Sequence, residues 1–401
     1  MVVRDSQGDG ESLWPAFGLG LAVAVGNGLA RFSYALLLPP MMSELGWNYT
    51  QAGWLNTANA LGYVLGAGSG YLLLRRVPPS RLFVWGLWLT FLTLLVTGVD
   101  TGIAWLTVVR LLSGVGAAWV FACGGALIAN RYESSPARRA TATGLFFAGA
   151  GIGIALSALT VNPLLAATGP GGWVGAWTLL GALAVLLSIW PLWEAKRSHG
   201  ATNRPSPTPL PLQGLLAPML SYFLFAAGYI VYMTFILAWL RNEGWSWRFS
   251  TLVWLVLGAS VALSPFAWRR ALDRWNPLLT LAASCAATLA GTLIPLFAAN
   301  AAGLLVSATV FGLGLFIAPS SVAVLLRQRM APANVAKSMT FFTIIFALGQ
   351  AIGPVAAGWI GDSTTLGDSL LFGAALLLAA SLLPLFGLRR QPLPASRPDP
   401  T

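Results

Sequence analysis

The chain alternates between long apolar stretches and short polar connections along its whole length. Each stretch holds about 18 residues or more, which is enough for a helix to cross most of a hydrocarbon core roughly 30 Å thick. The stretches lie at residues 14–40, 50–74, 82–99, 102–128, 140–165, 172–194, 215–240, 248–268, 277–299, 301–326, 338–360 and 366–388. This pattern predicts an all-α integral membrane protein with twelve transmembrane helices.

The composition supports the same class. Hydrophobic residues make up 57% of the chain and charged residues only 9%, whereas charged residues make up about a quarter of a soluble domain. The formal net charge of +11 comes from basic residues scattered between the apolar stretches. A nucleic-acid-binding protein would gather them into a patch, so we expect no nucleic-acid partner.

The placement of the basic residues predicts an orientation. Most of the 23 lysines and arginines lie in the tails and in every second connection, beginning with Arg75, Arg76 and Arg81. Because positive residues stay on the cytoplasmic side, both termini are predicted to be cytoplasmic. The first apolar run is too long for a signal-peptide core, so we expect no cleavage.

The middle of the chain contains a polar, proline-rich and basic segment, residues 195–213. Such a composition is typical of a linker. It separates residues 1–194 from residues 214–401, and the two parts repeat weakly at a shift of 200 residues, with Gly28 matching Gly228 and Trp47 matching Trp247. Chance similarity between Trp-rich apolar stretches is the alternative. We predict two pseudo-symmetric six-helix bundles joined by a cytoplasmic linker.

Several motifs resemble those of the major facilitator superfamily, and in particular its bacterial YbfB/YjiJ-type group. They are Arg110-Leu-Leu-Ser-Gly114 in the fourth stretch, Gly349-Gln-Ala-Ile-Gly353-Pro354 in the eleventh, Gly28-Leu-Ala-Arg31-Phe32-Ser-Tyr34 in the first and Asn59-Ala-Leu-Gly62-Tyr63 in the second. The resemblance implies a carrier of the bacterial inner membrane that works by alternating access, with its first and fourth helices lining a central cavity.

Two departures from the family pattern bear on the mechanism. The family's loop between helices two and three has an Asp before its basic residues, and this chain keeps Gly70, Arg75 and Arg76 but has Leu74 at the Asp position. We assign these three residues to a cytoplasmic gate that lacks the usual carboxylate. The glycine-rich fifth stretch lacks the Gly-Pro of drug/proton antiporters, which weakens a drug-exporter interpretation.

The acidic residues and the histidine offer no intramembrane chemistry. All 12 acids lie in tails, connections or helix ends, and His199 lies in the linker. Cys123 and Cys285 lie in separate apolar stretches, which suggests neither a metal site nor a disulfide. We expect no cofactor, no metal and no enzymatic activity, because a nucleophile with a base is missing.

Two arginines lie inside apolar stretches, where an ionisable residue indicates function. On an α-helix, Asn27, Arg31 and Tyr34 share one stripe. Arg110 lies at a similar depth in the fourth stretch. Guanidinium groups suit a carboxylate and repel cations. The alternative is that either arginine snorkels or bonds backbone carbonyls of a neighbouring helix.

Other polar residues recur at helical spacing in the second, seventh and eleventh stretches. They bind solute or bond helix to helix, and the spacing leaves both open. The predicted substrate-binding set is Asn27, Arg31, Tyr34, Asn56, Asn59, Arg110, Tyr229, Tyr232 and Gln350, with Tyr63, Tyr222, Thr340 and Thr343 on the same faces.

The predicted function is secondary transport of a small organic anion such as a carboxylate. The alternative is efflux of neutral or amphipathic compounds, with the arginines structural. A channel and a membrane enzyme receive less weight. We expect the protein to contact only its solute and the bilayer, and to function as a monomer.

Overall fold

The computed structural model describes residues 12–198, 214–330 and 332–388. These residues form helices joined by short connections, and no strand occurs among them. The predicted all-α fold is confirmed.

Among the described residues, twelve long helices account for the twelve predicted stretches. They are α1 (Trp14–Leu45), α2 (Tyr49–Leu73), α3 (Pro79–Val96), α4 (Ile103–Arg131), α5 (Pro136–Thr168), α6 (Trp173–Arg197), α7 (Leu216–Asn242), α8 (Trp247–Ala267), α9 (Pro277–Phe297), α10 (Ala301–Arg329), α11 (Pro332–Ser363) and α12 (Leu366–Leu388). Eleven of them are long and apolar enough to cross a membrane. The twelfth, α2, has 25 residues, but Asn56, Thr57 and Asn59 lower its mean hydropathy.

Some helix ends differ from the prediction. The first helix was expected to end at the prolines of residues 39 and 40, and it continues to Leu45. It ends there because Gly46 takes a left-handed conformation, with φ of 66°, and its N–H bonds the carbonyl of Met42. Helix α6 likewise continues to Arg197, past the predicted start of the linker. The linker residues 199–213, including His199, lie outside the described residues, so the domain boundaries stay a prediction.

Backbones approach closely where α2 meets α4. A Cβ on Gly62 would overlap the carbonyl of Leu111, and one on Gly114 would overlap the carbonyl of Asn59. Only residues without a side chain permit this separation, which is the usual way that membrane helices gain packing energy. On its other side α2 packs on α11, where Gly53 lies against the backbone of Pro354.

The first six helices meet the last six through two main pairs, α2 with α11 and α5 with α8. At one end of the molecule the carboxylate of Asp362, at the end of α11, accepts hydrogen bonds from the N–H groups of Tyr49 (2.7 Å) and Thr50 (2.9 Å). The hydroxyl of Thr50 donates to the same carboxylate at 2.6 Å. Asn242 of α7 donates to the hydroxyl of Tyr49 at 2.8 Å. We call this end, defined by Tyr49, Asn242 and Asp362, the latched end.

The predicted gate residues lie away from the latched end. Gly70 is in the last turn of α2, where a Cβ would contact the ring of Trp119 at 3.1 Å. Arg75 and Arg76 follow that helix, and the guanidinium of Arg75 lies 5.8 Å from the ring of Tyr71. Within the part of the chain that the structure describes, neither arginine forms an ion pair. Their role as a gate stays a prediction.

Gly62→Ala and Gly68→Ala form a matched pair on α2. The methyl group at 62 overlaps Leu111, so we expect it to lower the free energy of unfolding by about 1–3 kcal/mol, as overpacking does. Nothing lies within 4 Å of a Cβ at 68, so Gly68→Ala should be neutral or slightly stabilising. Thermal unfolding in detergent measures both, and equal melting temperatures would contradict the packing described for α2 and α4.

Asp362→Ala should loosen the latched end, because the first N–H groups of α2 lose a charged acceptor from α11. Hydrogen bonds to charged groups contribute about 1.5–3 kcal/mol, so amide exchange in the first turn of α2 should accelerate by about tenfold or more. Hydrogen–deuterium exchange with mass spectrometry measures it. Asp368→Ala is the control, because Asp368 bonds Thr365 and Thr364, which lie at the start of its own helix, and not α2. Equal exchange in both variants would show that no latch exists.

Candidate functional site

A cavity of about 480 Å³, including its part open to solvent, lies between α1, α2, α4, α7, α10 and α11. Seven of its lining residues are aromatic and one is charged. They are Asn27, Arg31, Phe32, Tyr63, Phe121, Tyr222, Tyr229, Leu315, Phe316, Pro319, Thr343, Phe346 and Gln350.

The part of α1 that faces the cavity is a π-helix, Ala24–Phe32, and all of it is buried. Its hydrogen bonds run from residue i to i+5, as in the bond from the N–H of Ser33 to the carbonyl of Gly28 at 3.1 Å. Such wide turns concentrate at functional sites. Gly28 permits α1 to approach α5 closely here, because a Cβ at this position would overlap the backbone of Gly153 on α5.

The π-helix explains why one predicted stripe residue does not reach the cavity. Each residue turns the chain by a smaller angle in a π-helix than in an α-helix, so residues four apart stay aligned but residues seven apart do not. Asn27 and Arg31 therefore both line the cavity. Tyr34 points elsewhere, and its hydroxyl donates to the carbonyl of Ala52 at 2.7 Å.

The guanidinium of Arg31 is 3% exposed and has one hydrogen-bonding partner among the described residues. Its Nη2 donates to Oε1 of Gln350 at 2.7 Å. The ring centroid of Tyr63 lies 5.3 Å from the guanidinium carbon, close enough for a cation–π contact. The Nε atom of Arg31 is buried without a partner in the described chain. The group therefore retains bonding capacity.

The second half contributes Gln350 and Tyr229 to the same chain of contacts. The Nε2 of Gln350 donates to the hydroxyl of Tyr229, so that one amide connects α11 with both α1 and α7. Oδ1 of Asn27 is buried and makes no hydrogen bond with any described residue. The cavity thus presents one cation, two amides and tyrosine hydroxyls, and no acidic side chain lines it in the described part of the chain.

The walls are built from stacked rings. The ring of Phe346 lies 4.5 Å from that of Tyr222 and 5.8 Å from that of Tyr229, and both pairs are stacked. Phe121 approaches from α4, with its ring 6.4 Å from Tyr63. These flat surfaces suit a ligand with an aromatic or other planar apolar part.

Four members of the predicted substrate-binding set line the cavity: Asn27, Arg31, Tyr229 and Gln350. Tyr63, Tyr222 and Thr343, which the helical spacing had placed on the same faces, line it as well.

Arg110 does not line the cavity in this structure. It is 2% exposed and donates from Nη1 to the carbonyl of Ala30, within the π-helical part of α1. Its guanidinium lies 5.0 Å from the ring of Tyr34 and 5.6 Å from that of Trp177. Asn59 in turn donates to the carbonyl of Arg110 at 3.1 Å. Arg110, Tyr34 and Asn59 therefore join helices of the first half, which is the alternative that the sequence left open.

Asn56 and Tyr232 also bond neighbouring helices instead of lining the cavity. Asn56 of α2 donates to Thr234 of α7 at 2.5 Å and so connects the two halves. The hydroxyl of Tyr232 lies 2.8 Å from that of Ser307 on α10, within the second half. The Oδ1 atom of Asn56 is buried and has no hydrogen-bonding partner among the described residues.

The sequence reasoning missed the apolar part of the cavity. Phe32, Phe121 and Phe346 carry no polar group that would mark them among 20 phenylalanines. Leu315, Phe316 and Pro319 come from the point where α10 is interrupted, between Ala301–Leu315 and Ile317–Arg329. The proline three residues after Phe316 is the one signal that could have indicated this break.

Arg110→Lys should destabilise the fold more than Arg31→Lys does. A lysine at 110 loses the planar stacking between Tyr34 and Trp177 and displaces the bond to Ala30, at a cost of about 1.5–3 kcal/mol. Arg31 borders a cavity, where an ammonium group has room to move. The melting temperatures of the two purified variants test this, and a lower value for Arg31→Lys would reverse the assignment of structural and cavity roles.

Comparison with known proteins gives the family and the fold. A family model described as "Uncharacterised MFS-type transporter YbfB" matches residues 21–385. Among curated proteins no sequence match was found.

Solved structures with a similar fold include a bacterial homologue of the human lysosomal transporter Spinster in an inward-facing, unoccupied conformation. It has a TM-score of 0.71 and 17% identity, over 95% of this chain and 98% of that one. The same homologue in an inward-facing, occupied conformation has a TM-score of 0.70. A variant of the nucleoside transporter NupG has a TM-score of 0.68 and 13% identity, over 94% of this chain and 99% of that one.

Proposed function

This chain belongs to the YbfB-type family of the major facilitator superfamily and is a membrane transporter, and we propose that its solute is a small organic anion with a planar apolar part. The proposal concerns the charge and shape of the solute, which the fold alone does not specify.

The observation that supports an anion is the isolated charge of Arg31. It is the one charged residue lining the cavity, and within the described chain no carboxylate faces it. An uncompensated charge in an apolar interior is costly, and a single amide oxygen offsets only part of that cost. A carboxylate would complete the compensation, because its two charged oxygens can accept from two N–H groups of the guanidinium. A cationic solute would increase the unbalanced charge.

The walls of the cavity support the planar apolar part. Aromatic side chains from α1, α2, α4, α7, α10 and α11 surround the space beside Arg31. A flat ring would stack between them while its acidic group meets the guanidinium.

Transport would proceed by rocking of the two predicted bundles, residues 1–194 and 214–401, about the cavity. The latched end is closed by Tyr49, Asn242 and Asp362, so this structure would release solute toward the opposite end. The basic connections support a cytoplasmic position for that end and for both termini, in a protein of the bacterial inner membrane. The empty cavity keeps its positive charge, so the transporter would change conformation more easily when it is loaded than when it is empty. This favours exchange, or entry of the anion together with a proton.

Three probes that share a benzene ring and differ in charge test the proposal. Benzoate should raise the melting temperature of the purified protein, because a ligand of the folded state adds stability by mass action. Benzamide and benzylamine should raise it little or not at all. Arg31→Gln should weaken benzoate binding by about tenfold or more, since a charged hydrogen-bonded pair is lost.

The control variant is Arg248→Gln. Arg248 lies in the first turn of α8, beside the ring of Trp247, and does not line the cavity. It should bind benzoate as the wild type does. A benzamide response that equals the benzoate response, unchanged in Arg31→Gln, would instead favour a carrier of neutral or amphipathic compounds. Solute counterflow in proteoliposomes then shows whether the bound probe is carried.

A further inference from the structure

Gln350 occupies the position next to Arg31 that an anionic solute would take. Its side chain is 1% exposed, and its Oε1 accepts from Nη2 of Arg31 at 2.7 Å. The other end of the amide donates to the hydroxyl of Tyr229, which fixes the oxygen toward the guanidinium. A neutral oxygen of the protein thus already holds one edge of the cation.

We propose that Gln350 is a built-in stand-in for the solute: it binds Arg31 in the empty transporter, and the acidic group of the solute displaces it. The inference rests on the proposed function. It assigns to Gln350 control of solute selectivity and of the balance between exchange and net transport.

Selectivity follows from the competition for Arg31. A carboxylate has two charged oxygens and accepts two N–H groups of the guanidinium fork, so it binds more strongly than one amide oxygen does. A neutral solute would exchange one uncharged acceptor for another and gain almost nothing. Gln350 therefore competes with every ligand for Arg31, and only an anion binds Arg31 strongly enough to displace it.

The amide is also suited to the empty transporter. A carboxylate at position 350 would form a permanent ion pair with Arg31 and exclude the solute. An apolar side chain would leave the guanidinium without any acceptor and raise the cost of moving the empty cavity through its closed state. The neutral amide offsets part of the charge and can still be displaced.

Displacement has a mechanical consequence as well. The bonds from Gln350 join α11 to α1 and α7 at the level of the cavity. When a solute binds Arg31, the direct bond between Arg31 of α1 and Gln350 of α11 is lost, and the solute lies between the two helices. In the empty transporter the guanidinium of Arg31 thus binds Gln350, and in the loaded transporter it binds the solute.

Gln350→Met tests the inference, because it keeps the length of the side chain and removes its polar atoms. With no internal competitor, the dissociation constant for benzoate should fall by about tenfold. Net benzoate efflux from proteoliposomes should slow by about fivefold or more, because the empty cavity then moves with a bare charge. Benzoate exchange should stay within about twofold of the wild type. Protein-free liposomes give the passive leak to subtract.

Thr309→Val is the control, since Thr309 on α10 lies outside the cavity lining and its hydroxyl donates to the carbonyl of Leu305 in its own helix. It should leave the ratio of exchange to net efflux unchanged. Gln350→Glu should abolish benzoate binding and both transport modes at pH 7.5 while the protein stays folded, because the new carboxylate occupies Arg31.

The outcomes separate the inference from the proposed function. If the wild type does not bind benzoate, the proposed function fails and the inference falls with it. If the wild type binds benzoate through Arg31, but Gln350→Met binds it equally or more weakly, or loses exchange and net efflux together, the inference alone is overturned.

Discussion

Arg31 carries a full positive charge inside a helical bundle, and the cost of burying that charge is the constraint on which the cavity depends. The side chain cannot reach bulk water, and the described chain offers it no carboxylate. Its surroundings supply weaker partners for the charge, namely the amide oxygen of Gln350 and the ring face of Tyr63. Each of these groups comes from a different helix. The proposed solute site and the packing of helices therefore share the same atoms.

Close backbone packing determines which polar residues are left for the solute. The amides of α2 reach neighbouring helices directly, α4 in one case and α7 in the other. Asn59 bonds the backbone of Arg110 and Asn56 bonds Thr234. Only Tyr63, further along the helix, projects into the cavity. Polar side chains inside a membrane protein thus either join helices or face a cavity. Their spacing along one helix does not distinguish the two roles.

The helices and the charged residue of the site follow from the sequence because hydrophobic length and intramembrane charge are local properties. Arg31 was identifiable since no neighbour in its apolar run resembles it. Arg110 looked equivalent by the same reasoning, and its role depended on the distance to Ala30 and Trp177, which no local pattern contains. Tyr34 was misplaced because the periodicity assumed an α-helix where the chain forms a π-helix.

The π-helical turn in α1 also provides a route by which this cavity could change during evolution. A stretch with bonds from i to i+5 is equivalent to an α-helix that has accepted one additional residue. Loss of a single codon between Ala24 and Phe32 would restore regular winding and still leave a span long enough for the membrane. The part of the helix on one side of the deletion would then rotate relative to the part on the other side, so its residues would face different neighbouring helices. A related transporter could acquire a different specificity by this route without exchanging any residue of its cavity.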